Sequence, residues 1–274
     1  MTVLIKDILD IIEQDAPKAL AESWDNVGLL VGDKEREINH ILVSLDPTSK
    51  LLDEAIALGA DSVITHHPLI FRPVSTIDTS QPTGKVIEKA LQNSISVIAC
   101  HTNLDNAANS VSKKLASILA LSDLTPLLPA APPKDNNTGS GCIGIYQEAV
   151  DGNTFVQQLL EKLDLESVAI TGKLPTTIKK VALCGGSGSG FTEAAYKSGA
   201  DLYITSEVKH DIARWVEEYD FCVIDATHYA TEQFAVELLA ESLQKAATEN
   251  NWALKISQTQ TEENPFWNIK RNDK

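Results

Sequence analysis

The stretch from Ile38 to Thr65 is echoed 140 residues later by the stretch from Ile178 to Thr205. Ile38, Ile41 and Val43 fall on Ile178, Val181 and Leu183, and Gly59-Ala60-Asp61 falls on Gly199-Ala200-Asp201. Ile64-Thr65 falls on Ile204-Thr205, which closes 28 residues without a gap. Each copy reads as an apolar strand, a helix stopped by glycine, and a second strand. Two copies predict a duplicated α/β unit, with parallel strands and helices covering both faces.

The same rhythm extends along the chain. Helices are expected over 4–14, 48–58, 84–92, 111–121, 154–163, 191–197, 208–218 and 230–247. Strands are expected over 38–46, 61–65, 94–100, 142–149, 168–171, 178–184, 202–205 and 221–225. The Pro-, Asn- and Gly-rich run from Pro129 to Gly141 reads as a linker or surface loop. The expected organisation is therefore a first α/β half over 1–128, a connecting segment over 129–172 and a second half over 173–274. The polar tail after Thr261 is expected to be partly irregular.

A net charge of −15 argues against a nucleic-acid backbone or an anionic membrane as the main partner. No apolar run reaches the ~20 residues of a membrane span. The N-terminus, which carries Asp7, Asp10 and Glu13, is unlike a signal peptide. Cys100, Cys142, Cys184 and Cys222 are scattered through apolar stretches, as buried reduced thiols would be. A cytoplasmic protein is expected.

Chemistry concentrates at strand ends. His66-His67-Pro68 closes one strand. On a regular strand the two imidazoles would diverge, but Pro68 stops the ladder and lets the backbone turn. They still approach from different angles, which suits two ions better than one. Val97-Ile98-Ala99-Cys100 leads to His101 with Asp105 four residues on, and Val223-Ile224-Asp225 leads to His228 with Glu232 four residues on. In a first helical turn, i and i+4 share a face. These six donors sit at the carboxyl edge of the sheets, where α/β proteins bind ligands. Their number fits a pair of divalent ions ~3.5–4 Å apart better than one tetrahedral ion.

Several stretches together resemble the Nif-three-like family, whose bacterial members carry the name GTP cyclohydrolase 1 type 2 homolog. They are Trp24 to Gly32, Ile64 to Phe71, His101 to Asp105, Gly185 to Gly188, Gly199 to Asp201 and His228 to Glu232. The resemblance implies a dinuclear metal site held by His66, His67, Asp105, His228 and Glu232, with His101 at or beside it. It further implies two similar halves about a pseudo-dyad and a ring-shaped homohexamer, here without the long inserted domain of some members. Ser206 and Thr227 stand where the family often has glycine, and either change would narrow the pocket or shift a loop.

Zinc, iron or manganese would each suit these nitrogen and oxygen donors. The function expected is a metal-dependent hydrolase acting on a nucleotide or phosphorylated small molecule, with His101 or Glu207 moving the proton. The alternative is a non-enzymatic metal-binding, metal-delivery or regulatory interaction protein. Gly185 to Gly190 offers backbone N–H groups that could seat an anion, although it lacks the lysine of a nucleotide P-loop. Lys209 and His210 lie near that loop. His40 sits away from the ligand edge and reads as structural.

Overall fold

A computed structural model describes residues 2–130 and 137–269. The protein is α/β, built on two mixed sheets. The first has the strand order Lys255–Gln258, His40–Ser44, Ser62–Thr65, Ser96–Ala99, Gly28–Val31. The second has the order Ala169–Gly172, Cys222–Asp225, Leu202–Thr205, Thr177–Leu183, Cys142–Asp151, Ser122–Thr125.

The expected parallel strands form the centre of each sheet. In the first, Ile41 is opposite Ser62 and Val43 opposite Ile64; in the second, Val181 is opposite Leu202 and Leu183 opposite Ile204. The sheets are not parallel throughout. Gly28–Val31 runs antiparallel to Ser96–Ala99, and Cys142–Asp151 and Ala169–Gly172 likewise flank the second sheet antiparallel.

Both faces of each sheet are covered, so apolar residues in the central strands point to both sides. Ile41, Val43, Ile64 and Ile98 pack with helices Ile5–Asp15 and Phe234–Glu249, while Leu42, Val63 and Val97 pack with Ser49–Leu58 and Pro82–Gln92. In the second sheet Val181, Leu183, Leu202 and Ile204 face one way, and Ala182 and Tyr203 the other. The period of two is the same at positions 140 apart.

The repeated Gly-Ala-Asp has a mechanical explanation. Gly59 and Gly199 end their helices at φ +66° and +73°, the left-handed region that favours glycine. The aspartate then fastens the start of the neighbouring strand. Asp61 Oδ2 accepts from the amides of Asn39 (2.7 Å) and His40 (3.0 Å). Asp201 Oδ2 accepts from Lys179 (2.7 Å) and Lys180 (2.8 Å).

Three departures from the sequence reading matter. First, the segment 173–274 does not stay with one sheet. Helix Phe234–Glu249 packs on the first sheet and Lys255–Gln258 pairs with His40–Ser44. Likewise Ser122–Thr125 belongs to the second sheet. The apolar stripe of Ala235, Leu238, Leu239 and Leu243 fills the face that Ile5, Ile8 and Ile12 leave open. Second, the long helix expected over 230–247 is two helices, His228–Glu232 and Phe234–Glu249. Third, the expected linker is partly paired, with Leu128–Pro129 against Gly139–Ser140; residues 131–136 lie outside those described. Among the described residues, no helix is long and apolar enough to cross a membrane.

Candidate metal centre

The strand ends of the two sheets meet at one group of side chains. His66 and His67 follow Ser62–Thr65, His101 follows Ser96–Ala99, and His228 opens the short helix after Cys222–Asp225. Asp105 and Glu232, one turn beyond their histidines, join them. All six expected donors therefore come together, and Glu207 lies behind them.

Each histidine is turned by a partner on Nδ1. His66 Nδ1 donates to the Cys100 carbonyl at 2.9 Å. His67 Nδ1 meets Asp46 Oδ1 at 2.8 Å, His101 Nδ1 meets Asp25 Oδ1 at 2.9 Å, and His228 Nδ1 meets Glu207 Oε1 at 2.7 Å. These acceptors fix the tautomer and leave each Nε2 for the centre, the arrangement usual for histidines that bind metal.

Glu232, only 4% exposed, divides its two oxygens. Oε2 lies 2.7 Å from His228 Nε2 and 3.0 Å from His67 Nε2. Oε1 lies 3.9 Å from His66 Nε2, which is 3.7 Å from Asp105 Oδ1. Two donor groups result, His67–His228–Glu232 and His66–Asp105–Glu232, sharing one carboxylate. His66, His67 and His101 form a third close group.

His66 Nε2 is the informative atom. It is fully buried and has no hydrogen-bond partner. A buried nitrogen without a partner is costly. Its nearest oxygens stand at a separation that two metal–ligand bonds of about 2.0–2.2 Å would span.

The electrostatics agree. Burial works against a charged carboxylate at Glu232, yet His228, His66 and His67 outweigh it and hold its pKa well below the usual range. Burial, helped by Glu232, raises Asp105 despite His66. Burial opposes protonation of His67, but hydrogen bonds to Asp46 and Glu232 bring its pKa up to about 10. The Glu232 hydrogen bond, against burial, lifts His228 to about 9.

A cavity of about 690 Å³ opens above these donors. Glu207 is absent from its lining and touches the centre through His228, so its position is that of an orienting carboxylate. The glycine-rich loop directs three of its amides into the protein rather than toward an anion. Gly185 N donates to Ser112 Oγ, Gly186 N to Thr231 Oγ1 and Gly188 N to Thr205 Oγ1. Instead it backs Glu232, since a Cβ on Gly186 would lie 1.9 Å from Glu232 Oε1. Lys209 and His210 do not line the cavity. His40, buried, meets Ser257 Oγ at 3.0 Å, remote from the donors.

Of the positions that depart from the family pattern, Thr227 sits at φ +64° with its hydroxyl buried and unpartnered. Ser206 is fully buried, and its hydroxyl ties the loop to the Gly186 carbonyl. The sequence reading missed the orienting roles of Asp25 and Asp46. The charged end of the strand at Asp46 and the Trp24-Asp25-Asn26 run were the available signals. Cys100, Cys142 and Cys222 are buried and Cys184 half-buried, all as free thiols that burial raises to between about 11 and 12.

Comparison with known proteins covers nearly the whole chain. The family model Duf34/NIF3 (NGG1p interacting factor 3) matches residues 3–265. A GTP cyclohydrolase 1 type 2 homolog of Clostridium acetobutylicum is 32% identical over 246 residues, covering 90% of this chain and 91% of the relative. One from Clostridium perfringens is 34% identical, over 83% and 86%. Among solved structures, a hypothetical protein of Staphylococcus aureus matches with a TM-score of 0.90 and 28% identity, covering 97% of this chain and 99% of that one. Reduced HcgD from Methanocaldococcus jannaschii matches with a TM-score of 0.78 and 29% identity, over 94% and 98%.

Proposed function

The chain belongs to the Duf34/NIF3 family, and from that premise we propose that it binds two divalent cations and hydrolyses a small molecule in the cavity above them. His66, Asp105 and Glu232 would hold one cation, and His67, His228 and Glu232 the other. The unpartnered, buried Nε2 of His66 carries this reading. A protein without use for that atom would fill the gap or exchange the histidine for an apolar residue. The all-nitrogen-and-oxygen set suits zinc, iron or manganese.

Bound there, such cations supply Lewis acidity and lower the pKa of water toward neutrality. The chain's own residues do the rest. Glu232 reaches both groups through separate oxygens and fixes their spacing. Asp46 and Glu207 keep His67 and His228 turned inward. His101, oriented by Asp25, lines the cavity and offers Nε2 to take or give a proton. Nucleotides are the first substrates to try, because the relatives are named GTP cyclohydrolase 1 type 2 homologs. A homohexamer, the assembly the resemblance implies, is part of the proposal and is read by light scattering.

The test is metal content together with turnover. Purified chain is expected to hold about two divalent ions and to release formate or phosphate from a nucleotide panel. His66→Ala and Glu232→Ala should lose both properties. Two ions without turnover above those variants would replace the hydrolase reading with metal storage or delivery. Absence of bound divalent metal would end both.

A further inference from the structure

The cavity has a wall that the metal chemistry does not use. Trp24 is 56% exposed and Phe71 44% exposed, large aromatic surfaces to leave open on a folded chain. Their rings pack 5.5 Å apart, and both meet His101, at 6.2 and 6.4 Å. The three rings are tilted or edge-on to one another, at 57°, 71° and 69°, and form an aromatic wall that reaches His101 beside the metal donors. Phe191 and Pro68 add apolar surface around it.

Apart from the metal-site imidazoles His67 and His228, the charges on the lining are one-sided. Glu22, Asp105 and Glu232 contribute carboxylates, and no lysine or arginine lines the cavity among the described residues. The amides of Gly185, Gly186 and Gly188 are already taken within the protein. A polyphosphate would find no guanidinium or ammonium on this lining, the usual side-chain means of holding one. A flat ring would find a stacking face, with Glu22 on the same lining to accept from a ring N–H or amino group. The volume of about 690 Å³ accommodates a bicyclic ring with a sugar-sized substituent.

We infer that this cavity takes a planar nitrogen heterocycle, neutral or cationic, stacked on Trp24 beside Phe71, and that no lysine or arginine seats a polyphosphate there. The inference deepens the proposed function by naming its substrate class, and it rests on that reading only for which end of the ligand meets the metals. A nucleotide would then be recognised by its base, and its phosphates would add little affinity of their own.

The test is calorimetric titration of the full chain after chelation, with guanosine, ribose 5-phosphate and inorganic triphosphate as probes. Chelation matters because triphosphate would otherwise bind the metal itself, and high salt screens the imidazoles of His67 and His228 that chelation frees. Guanosine should bind, and the two ring-free phosphates should bind far more weakly. Trp24→Ala should weaken guanosine about ten-fold or more, the loss expected when a base loses its stacking partner. Trp24→Phe should retain most of the affinity. Zinc stoichiometry of Trp24→Ala should equal that of the wild type. Triphosphate binding as tightly as guanosine would overturn the inference, as would guanosine affinity that ignores Trp24→Ala or is undetectable. So would a Trp24→Ala chain that sediments as a smaller assembly, since the wall would then be a contact between copies. Ring binding that fails while both zinc ions remain defeats this inference alone. Loss of zinc from the wild type defeats the hydrolase reading instead.

Discussion

Gly186→Ala isolates the contribution of Glu232 from that of the fold. The new Cβ would lie 1.9 Å from Oε1 and 2.6 Å from Cδ of Glu232. The carboxylate would have to retreat by at least about 1 Å to reach an ordinary contact. It is buried, and its Oε2 is held by His228 and His67 at 2.7 and 3.0 Å, so a retreat breaks the sharing of one carboxylate between two donor groups. Residue 186 also sits at φ +64°, which costs a side chain about 1–2 kcal/mol. Gly59→Ala is the control. Gly59 has φ +66° but open space around its Cβ position. In urea denaturation Gly59→Ala should lose about 1–2 kcal/mol of stability, and Gly186→Ala about 2–5 kcal/mol because the clash adds to the same backbone cost. Only Gly186→Ala should weaken zinc, by about 10–100-fold in competition with a chromophoric chelator. Equal zinc affinities in the two variants would refute the reasoning.

Other perturbations reach the site through its partners. Glu262, in the C-terminal tail, accepts from the amides of Leu45 and Asp46 at 2.7 Å each and from Ser44 Oγ at 3.1 Å, next to the Asp46–His67 contact. Glu262→Ala should cost about 1–3 kcal/mol and weaken zinc, while Glu263→Ala, a change at the exposed neighbouring residue, should do neither in the same melts and titrations. Thr227→Gly should relieve a strained backbone and raise the melting temperature by about 2–4 °C, checked by scanning calorimetry. The pH dependence follows from His67 and His228, whose folded pKa values of about 10 and 9 lie above the ordinary 6.5. Their raised values stabilise the metal-free chain fully below pH 6.5, and that stability is lost as pH rises through 9 to 10. Melts of chelated chain across this window should fall. Zinc must displace the same protons, so its affinity should rise over that range.

Much of the site was legible because its donors obey local rules. A histidine after an apolar strand, with a carboxylate at i+4, is a pattern that short-range geometry dictates. The repeated Gly-Ala-Asp was equally legible, since a left-handed glycine and a strand-fastening aspartate are both local devices. What was not legible depends on partners far along the chain. Lys255–Gln258 contains one apolar residue, Ile256, and becomes a strand only because His40–Ser44 offers an open edge. Glu262 reaches amides more than 200 residues away. The glycine loop left a tight turn and an anion seat both open, because its N–H groups look free in sequence. The structure gives those of Gly185, Gly186 and Gly188 to Ser112, Thr231 and Thr205, and uses the missing side chain of Gly186 as room for Glu232. The antiparallel direction of the flanking strands at 142–151 and 169–172 went unread because apolar periodicity marks a strand and not its direction.

The central claim is that the gap around His66 Nε2 is a metal position. Anomalous diffraction from a zinc-soaked crystal, collected on either side of the zinc edge, measures this directly. The account predicts a zinc-specific peak about 2.0–2.1 Å from His66 Nε2, within reach of Asp105 Oδ1 and Glu232 Oε1. A map with no zinc-specific peak between those three atoms would contradict it.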